Sequence, residues 1–102
     1  MHGMSTSVER VARAAALRVD VTDEALIVEL LDGRTVSVPL AWYPRLEHAT
    51  ERERAAWTLI AGGTGIHWEA LDEDLSVEGL LAGRPSGESQ ASLERWLASR
   101  ST

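Results

Sequence analysis

LRVDVTDEALIVELLDGRTVSVPL, residues 17–40, decides the fold. Leu17, Val19 and Val21 alternate with Arg18 and Asp20, the period-two pattern of a half-buried strand. Leu26, Val28 and Leu30 form a second apolar row, and Val36, Val38 and Leu40 a third. The turn Leu31-Asp32-Gly33 sets the register. If Asp-Gly were a two-residue loop, Leu30 would face Thr35 and Glu29 would face Val36, mixing both faces. A three-residue loop with Gly33 in the left-handed bulge position pairs Leu30 with Arg34, Val28 with Val36, Leu26 with Val38 and Glu29 with Thr35. That choice leaves one face cleanly apolar. A four-residue turn over Thr22-Asp23-Glu24-Ala25 then puts Val21 opposite Leu26 and Val19 opposite Val28. The expectation is a three-stranded antiparallel meander whose greasy face needs a cover.

The downstream sequence supplies the cover. Pro39 ends the third strand because it cannot donate to a ladder. Pro44 fits a first helical turn, with Trp42, Tyr43 and Leu46 pressed on the sheet. Thr50 and Glu53 have capping-box spacing, which predicts a helix starting at Glu51, carrying Ala55, Ala56 and Trp57, and stopping before or at Gly62. Ile66-His67-Trp68 reads as a short fourth strand of the same sheet. Ser76 caps a helix with Val77, Leu80 and Leu81, closed by Gly83 with Pro85 beyond. Leu93, Trp96 and Leu97 form the apolar stripe of a final helix.

Upstream, Thr6 and Glu9 have capping-box spacing within residues 5–16, and an extended lead-in competes equally with a helix there. The organisation is thus an extension over 1–16, a single α+β domain over 17–83, a polar linker over 84–91 and a C-terminal amphipathic helix over 92–102.

A chain of 102 residues with 44% apolar content is one packed domain by size. A domain this small gains from a partner or a second copy, so a homodimer is one association to test. The net charge of −6 argues against DNA or RNA as the main partner, because phosphate binding needs a basic footprint. With no cysteine there are no disulfides, thiolate zinc sites or cysteine nucleophiles, which suits the cytoplasm. No apolar run reaches the roughly 18 residues of a membrane span, and no signal peptide is expected. Lysine, asparagine and phenylalanine, which have AT-rich codons, are absent, pointing to a GC-rich bacterial genome.

The stretch GGTGIHWEALDEDLS, residues 62–76, holds the candidate chemistry. A phosphate loop needs a lysine after its last glycine, and this chain has none. The glycines read as turn residues. Glu69, Asp72, Glu73 and Asp74 lack the alternating ligands and central glycine of a calcium loop, and read instead as charges at a helix N-terminus ahead of Ser76. If Ile66 and Trp68 point inward, His67 points out, without a histidine partner at ligand spacing. No metal or cofactor is expected. Trp96, on a helix after a linker, either docks on its own domain or anchors a partner, with self-docking ahead.

DGRTVSVPLAWYPRL, ATERERAAW and GIHWEALDEDLSVEGLLAG together resemble the bacterial domain-of-unknown-function family 2442, from about Leu17 to Gly83. The resemblance implies an α+β domain with a small antiparallel sheet backed by helices, and supplies no catalytic residue. Where that family often has proline after the tryptophan, Glu69 stands here. Some relatives carry a helix-turn-helix domain, for which the tail after Gly83 is too short. Others resemble members of two-gene toxin–antitoxin pairs.

The functional expectation is a non-enzymatic interaction or regulatory module, antitoxin-like, binding a basic protein. Its candidate surface is Trp42, Tyr43, His67, Glu69, Asp72, Glu73, Asp74 and Trp96. The alternative is a small-molecule or cation-binding domain, or an enzyme, using Trp42, Tyr43, His67 and the acidic region.

Overall fold

The computed structural model describes residues 14–100. The expectation for residues 5–16 lies, up to residue 13, outside the described residues, and Ala16 already opens a strand. Strands β1 (Ala16–Val21), β2 (Ala25–Leu30) and β3 (Thr35–Pro39) form an antiparallel meander in that order. Its register is the expected one: Val28 pairs Val36, Leu26 pairs Val38 and Glu29 pairs Thr35, while Val19 pairs Val28 and Val21 pairs Leu26. The Leu30 amide donates to the Arg34 carbonyl at 2.8 Å, and Gly33 turns the chain at φ 95°. One member of the rows departs. The register shifts between Ala16 and Arg18, so Leu17 has no partner opposite and is 55% exposed. The bulge hands its inward place to Ala16.

The cover begins with a 3-10 turn, Leu40–Trp42, and helix α1 (Pro44–Glu47). Helix α2 (Glu51–Ala55) opens with the expected capping box: Glu53 N donates to Thr50 Oγ1 at 3.1 Å, and Thr50 N to Glu53 Oε1 at 2.9 Å. It is shorter than expected, and Trp57 is not in it. A capping box fixes where a helix starts, not its length. Ala56 leaves the helical region at φ −93°, ψ 50°. Trp57, Thr58 and Ile60 favour strand, and β4 (Trp57–Ile60) follows.

That strand corrects a second expectation. Ile66-His67-Trp68 lies in β5 (Gly65–Trp68), which is not a fourth member of the first sheet. It is the centre of a second antiparallel meander, between β4 and β6 (Glu73–Ser76). The two sheets send Val19, Leu26, Val28, Leu30 and Val38 from one side, and Ile66 and Trp68 from the other, into one core. Leu40, Leu46, Leu71, Val77 and Leu80 complete it. Gly63, at φ 91°, marks where the β4–β5 turn meets the start of β1: a Cβ there would lie 3.0 Å from the Ala16 carbonyl oxygen.

A buried arginine ties the layers. Arg54 donates to the Leu46 and Glu47 carbonyls, capping the end of α1, and to Asp23 Oδ1 in the β1–β2 turn, each at 2.9 Å. Its own carbonyl accepts from Trp68 Nε1 at 3.0 Å. The planar guanidinium suits this fan of acceptors.

Helix α3 (Val77–Leu81) is capped by Ser76 Oγ, which accepts from Gly79 N at 2.9 Å, and closed by Gly83 at φ 73°. Helix α4 (Gln90–Arg100) begins two residues before the expected boundary at 92 and docks on its own domain. Leu93 is buried and Trp96 packs on the core between two guanidinium groups, Arg100 4.5 Å and Arg45 5.2 Å from its ring centre. Arg100 also pairs with Glu53 at 2.6 Å. The linker is pinned too, since Ser86 N donates to the Trp42 carbonyl at 3.0 Å. No helix among the described residues is long and apolar enough to cross a membrane.

Candidate functional site

Directly paired residues in a ladder share a face. In the second sheet Trp57, Trp68 and Glu73 form one cross-strand row, and Thr58, His67 and Asp74 the next. Trp68 is fully buried, so the first row faces the core and the second faces outward, as expected for His67. The acidic run is therefore divided by its own geometry. It does not ride on the N-terminus of α3, as its spacing predicts. Asp72 sits in a left-handed turn at φ 51° after the 3-10 turn Glu69–Leu71, and Glu73 and Asp74 are in β6.

On the outer face, His67 Nδ1 meets Asp74 Oδ1 at 2.5 Å and Nε2 meets Glu69 Oε1 at 2.8 Å. Glu69 first, then Asp74, holds the imidazole above its ordinary range by favouring the charged ring. The Glu69 and Asp74 side chains are 93% and 66% exposed. Because they engage opposite ring nitrogens, they do not converge on one point. Among the described residues no group of three or more His, Asp or Glu side chains is arranged to hold a metal ion.

On the inner face, Glu73 is half-buried and lines a cavity of about 240 Å³ together with Tyr43, Leu80, Arg84, Ser86 and Gly87. Tyr43 is 2% exposed, and its hydroxyl donates to the Arg84 carbonyl at 3.0 Å. Burial pushes the Glu73 carboxyl up to about 7 against the pull of Arg45, with Glu88, Asp74 and Asp72 adding to the rise. Burial, then the Glu73 charge, raises the Tyr43 hydroxyl as well.

Arg45 is already committed elsewhere. It grips Glu88 with two 2.8 Å bonds and donates to the Leu71 carbonyl at 2.9 Å. Ser92 Oγ donates to the same carboxylate at 2.6 Å. Arg45 therefore holds Glu88 below the usual carboxylate range.

The structure brings Tyr43 and Glu73 together in the cavity, and His67, Glu69 and Asp74 together outside. It does not bring Trp42 or Trp96 to either group. Trp42 packs on the core and holds the linker, and Trp96 belongs to the docking of α4. Sequence reasoning missed Arg45, Glu88 and the Arg84 carbonyl. Arg45 and Glu88 lie 43 residues apart, so no local spacing could pair them. The one available signal was an acid inside an otherwise small and polar linker.

Comparison with known proteins gives the family and the fold. A family model described as "Protein of unknown function (DUF2442)" matches residues 16–86, the family to which the sequence motifs pointed. A crystal structure of a protein of unknown function from Rhodospirillum rubrum ATCC 11170 is 33% identical, with a TM-score of 0.62 over 78% of this chain and 96% of that one. The solution structure of an uncharacterized protein from Chromobacterium violaceum is 20% identical and shares the fold, with a TM-score of 0.64 over 97% of this chain and 87% of that one. No curated protein matches.

Proposed function

We propose that this chain, which belongs to the DUF2442 family, is a non-enzymatic interaction module that binds a basic protein partner in the cytoplasm. One observation carries the reading. Glu69, Asp72 and Asp74 stand exposed at one end of the second sheet, on a chain of net charge −6. Such a patch steers a cationic partner and sets its orientation. The non-enzymatic part is supported by His67, whose two ring nitrogens are both engaged by carboxylates, so neither is presented as a general base. An antitoxin-like regulator is the concrete version of this reading.

Pull-down with the tagged chain from its native host is the test. The expected result is a stoichiometric basic partner at mild salt, lost with Glu69→Lys and Asp74→Lys together. Recovery of the chain alone as a monomer would overturn the interaction reading.

The Glu73 cavity favours a second reading, a small-ligand domain. A thermal-shift screen with metabolites and cations checks it. One site at 100-fold excess over its dissociation constant adds about 2.7 kcal/mol of stability.

A further inference from the structure

We propose that the cavity between Glu73 and Tyr43 is a binding site for one organic cation of the guanidinium or primary ammonium type, presented as an arginine or lysine side chain by the basic partner. The cavity's choice of a cation stands by itself, and its assignment to a partner's side chain rests on the interaction reading.

Size is the first ground. About 240 Å³ is far more than the ~10–15 Å³ that admits one water, yet below the ~300–1,000 Å³ of a pocket for a drug-sized ligand. The space fits a head group. The second ground is its unmet chemistry. The Glu73 carboxyl makes no hydrogen bond or ion pair among the described residues, although it lies half-buried on the core face of β6. A carboxyl drawn out of water is stabilised by a donor, and the cavity holds none aimed at it. Tyr43 gives its hydrogen to the Arg84 carbonyl, which leaves the phenolic oxygen to accept.

The surrounding charges supply the third ground. Arg45, the cation that acts on Glu73, is already neutralised by Glu88. Asp74 borders the cavity beside Glu73 with its carboxylate turned outward to His67, and Glu88, Asp74 and Asp72 all add negative field at Glu73. Arg84 lines it from the opposite segment, where its carbonyl is fixed by Tyr43. An anion entering here would meet the Glu73 carboxyl in the added negative field of Asp72, Asp74 and Glu88. A donor-only cation would answer Glu73 and draw off whatever proton it still carries near neutral pH.

The test is an NMR titration of the full chain with blocked arginine amide, blocked lysine amide, methylguanidinium, and blocked citrulline amide as the neutral isostere. The arginine and lysine probes should shift the amides of Leu75, Gly79 and Gly87, and citrulline should not. Affinity for the arginine probe should fall at least about tenfold from pH 8 to pH 5.5 as Glu73 takes up its proton. Glu73→Gln should abolish binding at both pH values, and Tyr43→Phe, which keeps the ring, should weaken it.

Equal binding of citrulline and arginine, unchanged binding by Glu73→Gln, or no shift with any cationic probe overturns the proposal. Tighter binding of methylguanidinium than of blocked arginine overturns the side-chain source in favour of a free cation. If Glu73→Gln still captures the protein partner at wild-type yield, the side-chain source fails while the interaction reading survives, and the cation site is decided by the probe titration. If probes bind but no partner is recovered, the interaction reading and the side-chain source fall while the cation site stands.

Discussion

Glu73 stands directly across the β5–β6 ladder from Trp68, whose indole is fully buried. The pairing forces a carboxyl onto the face where the rest of the row is aromatic. Its folded-state value of about 7 lies above the ordinary 4.5, so the folded chain holds this proton more tightly than the unfolded one. Its contribution to stability is therefore complete below about pH 4.5 and is lost as the pH rises through about 7. Glu73→Gln should stabilise the protein by about 1–2 kcal/mol at pH 8, after allowance for partial solvation, and by nothing at pH 4.5. Urea unfolding at the two pH values checks this, and equal or lower stability of the variant at pH 8 would refute the burial account.

His67 should titrate above 6.5, since both flanking carboxylates favour the charged ring. The stabilisation is present below the unfolded value and disappears as the pH climbs through the raised folded one. Glu69→Gln and Asp74→Asn should each lower the titration midpoint, and the double variant should lower it most. The imidazole proton shifts read this directly. A midpoint unmoved by either change would mean that the clasp is not populated in solution.

Arg45 and Glu88 are 16% and 8% exposed at their side chains, and each would be costly alone. Glu88→Gln removes the charge that offsets Arg45, with an expected loss of about 3–5 kcal/mol. The loss should concentrate in α4, seen as faster amide exchange at Leu93 and Trp96. Arg45→Met with Glu88→Leu should recover most of it. Uniform destabilisation with α4 protection intact would show that the pair does not strap the helix.

Gly63 is held at φ 91°, where a side chain would run into the start of β1 at Ala16. Gly63→Ala should destabilise by about 1–3 kcal/mol, because the new methyl meets both a disfavoured backbone conformation and the Ala16 carbonyl. Gly33→Ala has the strain but open space around it, and should cost less. Thermal melts of the two variants rank them.

The first sheet was legible because its rows were apolar at every second residue and its Asp-Gly turn allowed only one tidy register. The bulge at Leu17 was not, since Leu17 continues the apolar alternation of Val19 and Val21 in the sequence while the bulge turns it outward. The second sheet was hidden for two separable reasons. Trp57 followed a genuine helix start, and nothing local in ERERAAW announces that the helix lasts only to Ala55. Strand β6 carries an acid at an inward position, which erases the period-two signal. The outward turn of His67 was read correctly from Ile66 and Trp68. Its two carboxylate clasps, and the Glu73 cavity, depended on ladder pairing that the spacing alone does not reveal.

Among the described residues each strand bonds only to the strand before or after it along the chain, through connections of three or four residues: 22–24, 31–34, 61–64 and 69–72. Each ladder can therefore close without a distant partner. Such a topology, with few separated contacts to search for, favours rapid folding for a β-rich chain. The slower event should be the meeting of the two finished meanders around Trp68 and Val28, so truncating those side chains would retard folding more than trimming either turn.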